Sequence, residues 1–330
     1  MTMSISRRAL LRGVSLALGS LASPSWARAQ ERGRTYRLGG MHASPREAPH
    51  IVAFFEALRR NGFVEGQNVQ VDPRGYGHQP ERLADIAVEL VNAKVDLITC
   101  GGDAAIRAAQ RATATIPIVA ITEDMVEAGF ARSLGSPGGN TTGVSILAGQ
   151  LDGKRQEILT EMVPGLRRMA ALVDASTTGP RQLQALQDAA RGRGIELSIH
   201  RVGKAEAVVP AIDGAKSAGA AALNVLATPL LFSNRRVIFE RAAALRLPAI
   251  YQWPEMAEEG GLAAYGPRIT QIYEDLMARH VVKVLRGARP ADLPIEQPSK
   301  FDLVINLRTA KALRLGVPRS VLLRADRIIE

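Results

Sequence analysis

The stretch Val95-Asp96-Leu97-Ile98-Thr99-Cys100-Gly101-Gly102-Asp103-Ala104-Ala105-Ile106 changes character at its centre. Before Gly101 it is a short apolar run, the pattern of a strand buried on both faces. After Gly102 small residues carry a helix through Ala112, and Ile116 to Ile121 form the next strand. Strand, glycine turn, helix and strand make a βαβ unit, which demands a parallel sheet with helices packed on it.

The same alternation extends in both directions. Upstream, Tyr36 to Gly40 reads as a strand. His50 to Asn61 is an amphipathic helix with Ile51, Phe54, Phe55 and Leu58 at helical spacing, closed by Gly62. Val69 to Asp72 is a strand and Pro80 to Asn92 a helix; Val126 to Leu134 is expected as a short helix. A turn cluster, Ser136-Pro137-Gly138-Gly139-Asn140, then resets the register, and Thr141 to Ser145 is a short strand. Beyond it the alternation restarts. Strands are expected at Met169 to Asp174, Glu196 to Val202, Ala221 to Leu226, Pro248 to Tyr251 and Leu262 to Tyr265. Helices are expected at Gly153 to Met162, Arg181 to Arg191, Phe232 to Leu245 and Ile269 to Leu285. The tail adds an extended run, Phe301 to Asn306, and a helix from Leu307 to Leu315. Two series of similar length, split by a glycine-rich joint, predict an α/β chain of two Rossmann-like lobes with parallel sheets.

The N-terminus is of another kind. Arg7 and Arg8 precede an apolar run, Gly13 to Leu21, and Ala27 and Ala29 supply the small residues a signal peptidase needs. The run is shorter than the roughly 20 residues that span a bilayer. Residues 1–29 are therefore expected as an export signal cleaved near Ala29, by the twin-arginine or the general route, delivering the protein to the periplasm. Its four arginines and absence of acids lower the formal charge from +10 to +6 on maturation. That charge is spread out, with no lysine-arginine run of the kind that grips nucleic acid. Cys100 is the single cysteine, which excludes an internal disulfide.

Dinucleotide, Walker, H-E-x-x-H and nucleophile-elbow patterns are absent, and the five histidines show no ligand grouping. No catalytic residue, metal or cofactor is expected. Ligands of open α/β sheets bind beyond the carboxyl ends of the strands, so the candidates sit there. After the first strand come Met41, His42 and Ser44, as ligand contacts or a polar loop. Gly102 and Asp103 follow the third strand; Asp103 can hold a ligand amine or cap its helix. Thr122, Glu123 and Asp124 end the fourth, and successive residues in extended chain point apart, so one acid faces ligand and the other caps or is solvated. In the second lobe Thr228 and Pro229, Tyr251 and Trp253, and Tyr265 end successive strands. Their aromatics suit stacking on a flat ligand, with core packing the other reading.

Several segments together carry a family resemblance. They are Gly62-Phe63-Val64-Glu65-Gly66-Gln67-Asn68-Val69, Thr115-Ile116-Pro117-Ile118-Val119, Pro137-Gly138-Gly139-Asn140-Thr141-Thr142-Gly143-Val144-Ser145, Ala264-Tyr265-Gly266, and the tail from Lys300 to Leu313. In this order the chain, over residues 36 to 316, resembles the ABC-transporter solute-binding proteins of the tryptophan/tyrosine-binding type, within the type I periplasmic binding proteins. The resemblance implies lobes joined by a three-crossover hinge: residues 30–145 plus 267–290 in lobe 1, and 146–266 plus 291–330 in lobe 2. It implies a monomeric receptor, peripheral to the membrane, that closes on a small organic solute of the amino acid or aromatic carboxylate class and docks on an ABC permease. The chain departs from the family's pattern at Gly101-Gly102-Asp103, and at Glu123-Asp124-Met125, where relatives often carry Ser-Asp-Pro. Two alternatives belong to other classes: an exported two-lobed enzyme of glycosyltransferase or oxidoreductase type, and a ligand-binding partner of a membrane sensor.

Overall fold

A computed structural model describes residues 33–330, so the expected export signal lies outside the described residues. Five strands form the first sheet: β1 (Tyr36–Met41), β2 (Val69–Asp72), β3 (Leu97–Gly101), β4 (Ile118–Thr122) and β5 (Thr141–Ser145). Their order is β2-β1-β3-β4-β5, and every pairing is parallel. Helices α1 (Pro49–Arg60), α2 (Leu83–Asn92) and α3 (Asp103–Ala112) connect them.

Period-two alternation decides what each face meets. Leu38, Leu97, Val119 and Val144 pack with Ile51, Phe54 and Leu58 of α1. Ile98, Cys100, Ile118 and Ala120 face Ile86, Leu90 and Ile106 from α2 and α3. Each Leu, Ile, Val or Phe among them, fully buried, stabilises the fold by about 1.5–3 kcal/mol. Cys100 lies wholly inside this layer, and burial raises its thiol pKa.

The joint between the lobes has a steric cause. Gly143 stands at φ +139°, and a Cβ there would come within 1.9 Å of the Ala120 carbonyl oxygen. A side chain at that position would force β5 off β4. Asn140 fixes the approach by donating to the Thr113 and Ile116 carbonyls at 3.1 and 2.9 Å. Asn68 plays a similar part earlier, accepting from Val64 N at 2.7 Å and donating to Gly62 O at 2.8 Å.

The second sheet contains β6 (Arg168–Asp174), β7 (Glu196–Val202), β8 (Ala222–Val225), β9 (Ala249–Tyr251), β10 (Ala263–Gly266), β11 (Asp302–Asn306) and β12 (Arg327–Ile329). The order is β12-β11-β10-β9-β8-β6-β7, so β7-β6-β8-β9-β10 repeats the plan of the first sheet. Its helices include α4 (Ala148–Met162), α5 (Pro180–Arg191), α6 (Val208–Ser217), α7 (Pro229–Ser233), α8 (Arg235–Ala244) and α9 (Pro254–Glu258). The molecule is a two-lobed α/β fold with mostly parallel sheets.

Four expectations are corrected. β11 runs antiparallel to β10, with Gly266 opposite Asp302, so the second sheet is not wholly parallel. The chain re-enters this lobe at the end where β10 leaves it and must run back down. The return also comes later than Ala291. Ile295 N donates to Leu134 O and Glu296 N to Gly143 O, and Ile295 packs in the first lobe's core, which holds this segment on the first sheet. Val126 to Leu134 is a series of turns rather than a helix: Asp124 caps it, Gly129 takes φ +75°, and Phe130 N returns to Met125 O. The single helix expected over Phe232 to Leu245 breaks at Asn234 into α7 and α8.

Candidate functional site

The carboxyl ends of β1, β3 and β4 face those of β6, β8 and β9 across a cleft between the lobes. It measures about 860 Å³, counting the part open to solvent. Of the residues singled out from sequence, His42, Ser44, Gly102, Asp103, Thr122, Glu123, Thr228, Pro229 and Trp253 line it. The other four do not. Met41 is buried in the core between the first sheet and α2 and α3, because it is still within β1 and its side chain points to that face. Asp124 turns away and accepts from Val126 N and Glu127 N at 2.9 and 3.0 Å. Tyr251 is buried edge-on against Phe239, with ring centroids 5.0 Å apart. Tyr265 packs with the hydrophobic core beneath the second sheet and lies beside Phe301 at 6.5 Å.

Other residues complete the walls. His50 comes from the first turn of α1, and Phe232 and Ser233 from α7. Thr177, Thr178 and Gln182 follow β6, and Ile269 and Tyr273 belong to the long helix over 269–285. A signal for the β6 loop was present. β6 stands in the second sheet where β1 stands in the first, so its carboxyl end had to reach the cleft. Tyr273 had no such signal; it reaches the cleft only because the chain crosses back to the first lobe. Residues 272–277 are π-helical, a local widening of the kind often found at functional sites.

One wall is aromatic. The His50 ring meets Tyr273 at 4.8 Å and, across the lobe boundary, Phe232 at 5.8 Å, both edge to face. His42 is held by a chain of hydrogen bonds that fixes its tautomer. The Thr99 hydroxyl lies 3.3 Å from the Gly39 carbonyl, a pure acceptor, and donates to it. Ring Nε2 of His42 therefore donates to Thr99 Oγ1 at 2.9 Å, and Nδ1 accepts from the Tyr273 hydroxyl at 3.1 Å. Burial, reinforced by His50 and His78, lowers the His42 pKa to about 3. Burial and then Arg235 lower that of His50 to about 4. Both rings are neutral at pH 7.

Another part of the lining is acidic. Asp103 opens α3 and accepts from the Thr122 hydroxyl; burial raises its pKa, and the Thr122 bond and Arg107, 3.9 Å away, oppose the rise. Glu123 is carried by the first lobe, yet its Oε1 accepts from Gly149 N at the start of α4 in the second. Its Oε2 is shut off from solvent with no hydrogen-bond partner. Burial is the main reason the Glu123 pKa is pushed up to about 8, the Gly149 bond opposing it. No lysine or arginine is among the described residues that line the cleft. Among the described residues no group of three or more His, Cys, Asp or Glu is placed to hold a metal ion.

The lobes touch across this space. Gly102 sits at φ +88°, and a Cβ on it would come within 2.6 Å of Pro229 Cγ of the second lobe. Among the described residues no helix is long and apolar enough to cross a membrane.

Comparison with known proteins adds to this geometry. A family model described as ABC transporter substrate binding protein matches residues 49–329. The chain is 28% identical over 269 residues to a tyrosine-binding protein of Clostridioides difficile (strain R20291), covering 79% of this chain and 75% of that one. Among solved structures it is similar to a conserved domain protein from Vibrio cholerae, with TM-score 0.81, 24% identity, and coverage of 89% of this chain and 99% of that one. It is also similar to an ABC domain in complex with L-Trp from Streptococcus pneumoniae, with TM-score 0.80, 22% identity, and coverage of 89% and 100%.

Proposed function

This chain belongs to the ABC transporter substrate binding protein family, and from that premise we propose that it is a periplasmic receptor for a small organic solute of the amino acid or aromatic class. It is a binding protein rather than an enzyme. The observation that carries the reading is the cleft, whose walls come from both lobes and pair an aromatic side with an acidic one. A flat apolar body stacks on Trp253, Phe232 and Tyr273, and a protonated nitrogen meets Asp103 and Glu123. The names of two similar proteins, one tyrosine-binding and one solved with L-Trp, support that class.

In this mechanism ligand entering the cleft draws the lobes together about the three crossings, near Ser145, near Gly266 and after Glu296. Ligand contacts made from both sides favour the closed form by their differential affinity. The closed receptor, a monomer, then docks on a permease of the inner membrane. The export signal expected over residues 1–29, cleaved near Ala29, supports that location.

Trp253 supplies the test. It lies in the wall, and it is the one tryptophan downstream of the expected signal, Trp26 being the other in the sequence. Titration with L-tyrosine, which carries no indole of its own, should change the protein's tryptophan emission saturably. Emission that stays constant through a calorimetrically proven binding event would place the ligand elsewhere.

A further inference from the structure

The cleft holds a buried acid with one oxygen that makes no hydrogen bond, and no lysine or arginine is among the described residues that line it. We infer that Glu123 is the specificity-determining residue of the cleft: its Oε2 takes a protonated nitrogen of the ligand, and each ligand bound displaces one proton from this carboxyl to solvent. The inference rests on the receptor reading above and sharpens it to cationic solutes.

The geometry is specific. Glu123 has one oxygen committed to Gly149 N across the lobe boundary, while Oε2 is buried, unpartnered and within the lining. A buried polar atom without a partner is unfavourable, and a ligand N–H supplies the missing partner. Three charged groups face Glu123 from the packed elements: Asp103 of α3, and Asp152 and Arg155 of α4. The two acids oppose its ionisation and Arg155, ion-paired with Asp152, favours it. Burial is the larger influence, and at neutral pH the carboxyl keeps its proton until a cation arrives. When an ammonium group enters, the proton leaves Glu123 for water and an N–H···O ion pair takes its place. Among the described residues that line the cleft a ligand carboxylate has no lysine or arginine to meet, Arg235 standing in the adjoining opening beside His50, so charge is read at Glu123.

The test is isothermal titration of the purified protein with three probes: L-tryptophan, tryptamine and indole-3-propionate. Each titration is run at pH 7 in buffers of different ionisation enthalpy, which counts protons. The two amines are expected to bind with release of close to one proton, the count falling as the pH is raised to 8.5. Indole-3-propionate is expected to bind at least tenfold more weakly. E123Q should bind the amines about ten- to a hundredfold more weakly and release no proton, whereas D103N should still release one. Amine binding without proton release, or indole-3-propionate binding as tightly as L-tryptophan, overturns the role of Glu123 and leaves the receptor intact. The wild-type titration decides the proton count even if E123Q fails to fold. Failure of all three probes to bind overturns the inference together with the ligand class on which it rests.

Discussion

Replacing Glu123 by Gln keeps the shape and the acceptor for Gly149 N but removes the titration. In the folded protein burial holds the carboxyl near 8, against an ordinary 4.5. The folded state thus binds a proton that the unfolded state releases between those values. Stability is fully retained below pH 4.5 and declines as the pH rises through 8, the sign expected of a raised acid. Each unit of pKa corresponds to about 1.4 kcal/mol, so the decline reaches up to about 5 kcal/mol. With an unfolding entropy of about 2 cal/mol/K per residue, that lowers the melting temperature by up to about 8 °C for a chain of this size. Melting curves of wild type and E123Q, taken without ligand at half-unit steps from pH 4.5 to 9, isolate the effect. The acid-side losses from His42 and His50 are common to both proteins and cancel in the difference. The wild type is expected to lose stability relative to E123Q steadily as pH rises, levelling off above 8.5. Parallel curves would refute the argument, because they would mean that Glu123 ionises in the folded protein as it does in water.

Two further substitutions probe the walls. Gly102→Ala adds a Cβ at positive φ that meets Pro229 of the second lobe; strain and overlap of about 1–3 kcal/mol should weaken ligand affinity by tenfold or more in calorimetry, and unchanged affinity would show that the Gly102–Pro229 approach is not part of the bound state. Tyr273→Phe removes the donor to His42 Nδ1 inside the protein, which should cost about 1–3 kcal/mol in chemical denaturation; an unchanged midpoint would break the hydrogen-bond chain from Gly39 through Thr99 and His42 to Tyr273.

The fold was legible where period and punctuation agreed. Leu97 to Cys100 could only be a strand buried on both faces, and Gly101-Gly102 could only be its turn. Gly143 was visible as part of a motif, but its reason, the Ala120 carbonyl 1.9 Å from any Cβ, needs the neighbouring strand in place. The antiparallel β11 was hidden because alternation along the chain carries no sign for direction within a sheet. Of the candidates, those just beyond a strand end line the cleft, among them His42, Asp103, Glu123 and Trp253. Met41, one position too early, was placed in the cleft wrongly, since period two turns a neighbour to the opposite face; the same period sends Glu123 into the cleft and leaves Asp124 as a cap, the split read for that pair. Tyr273 and His50 lie far from one another and from Phe232 in sequence, and meet only after the chain has crossed to the second lobe and back.

The central claim is that the interlobe cleft captures one small solute carrying a protonated nitrogen. Denaturing the freshly purified protein and identifying what it releases by mass spectrometry, then titrating that compound back, tests this most directly. The account predicts a small amine, recovered near one per chain or rebinding at one site, with L-tyrosine or L-tryptophan competing for it. Release of a nucleotide, a flavin or an anionic solute lacking any basic nitrogen would contradict it.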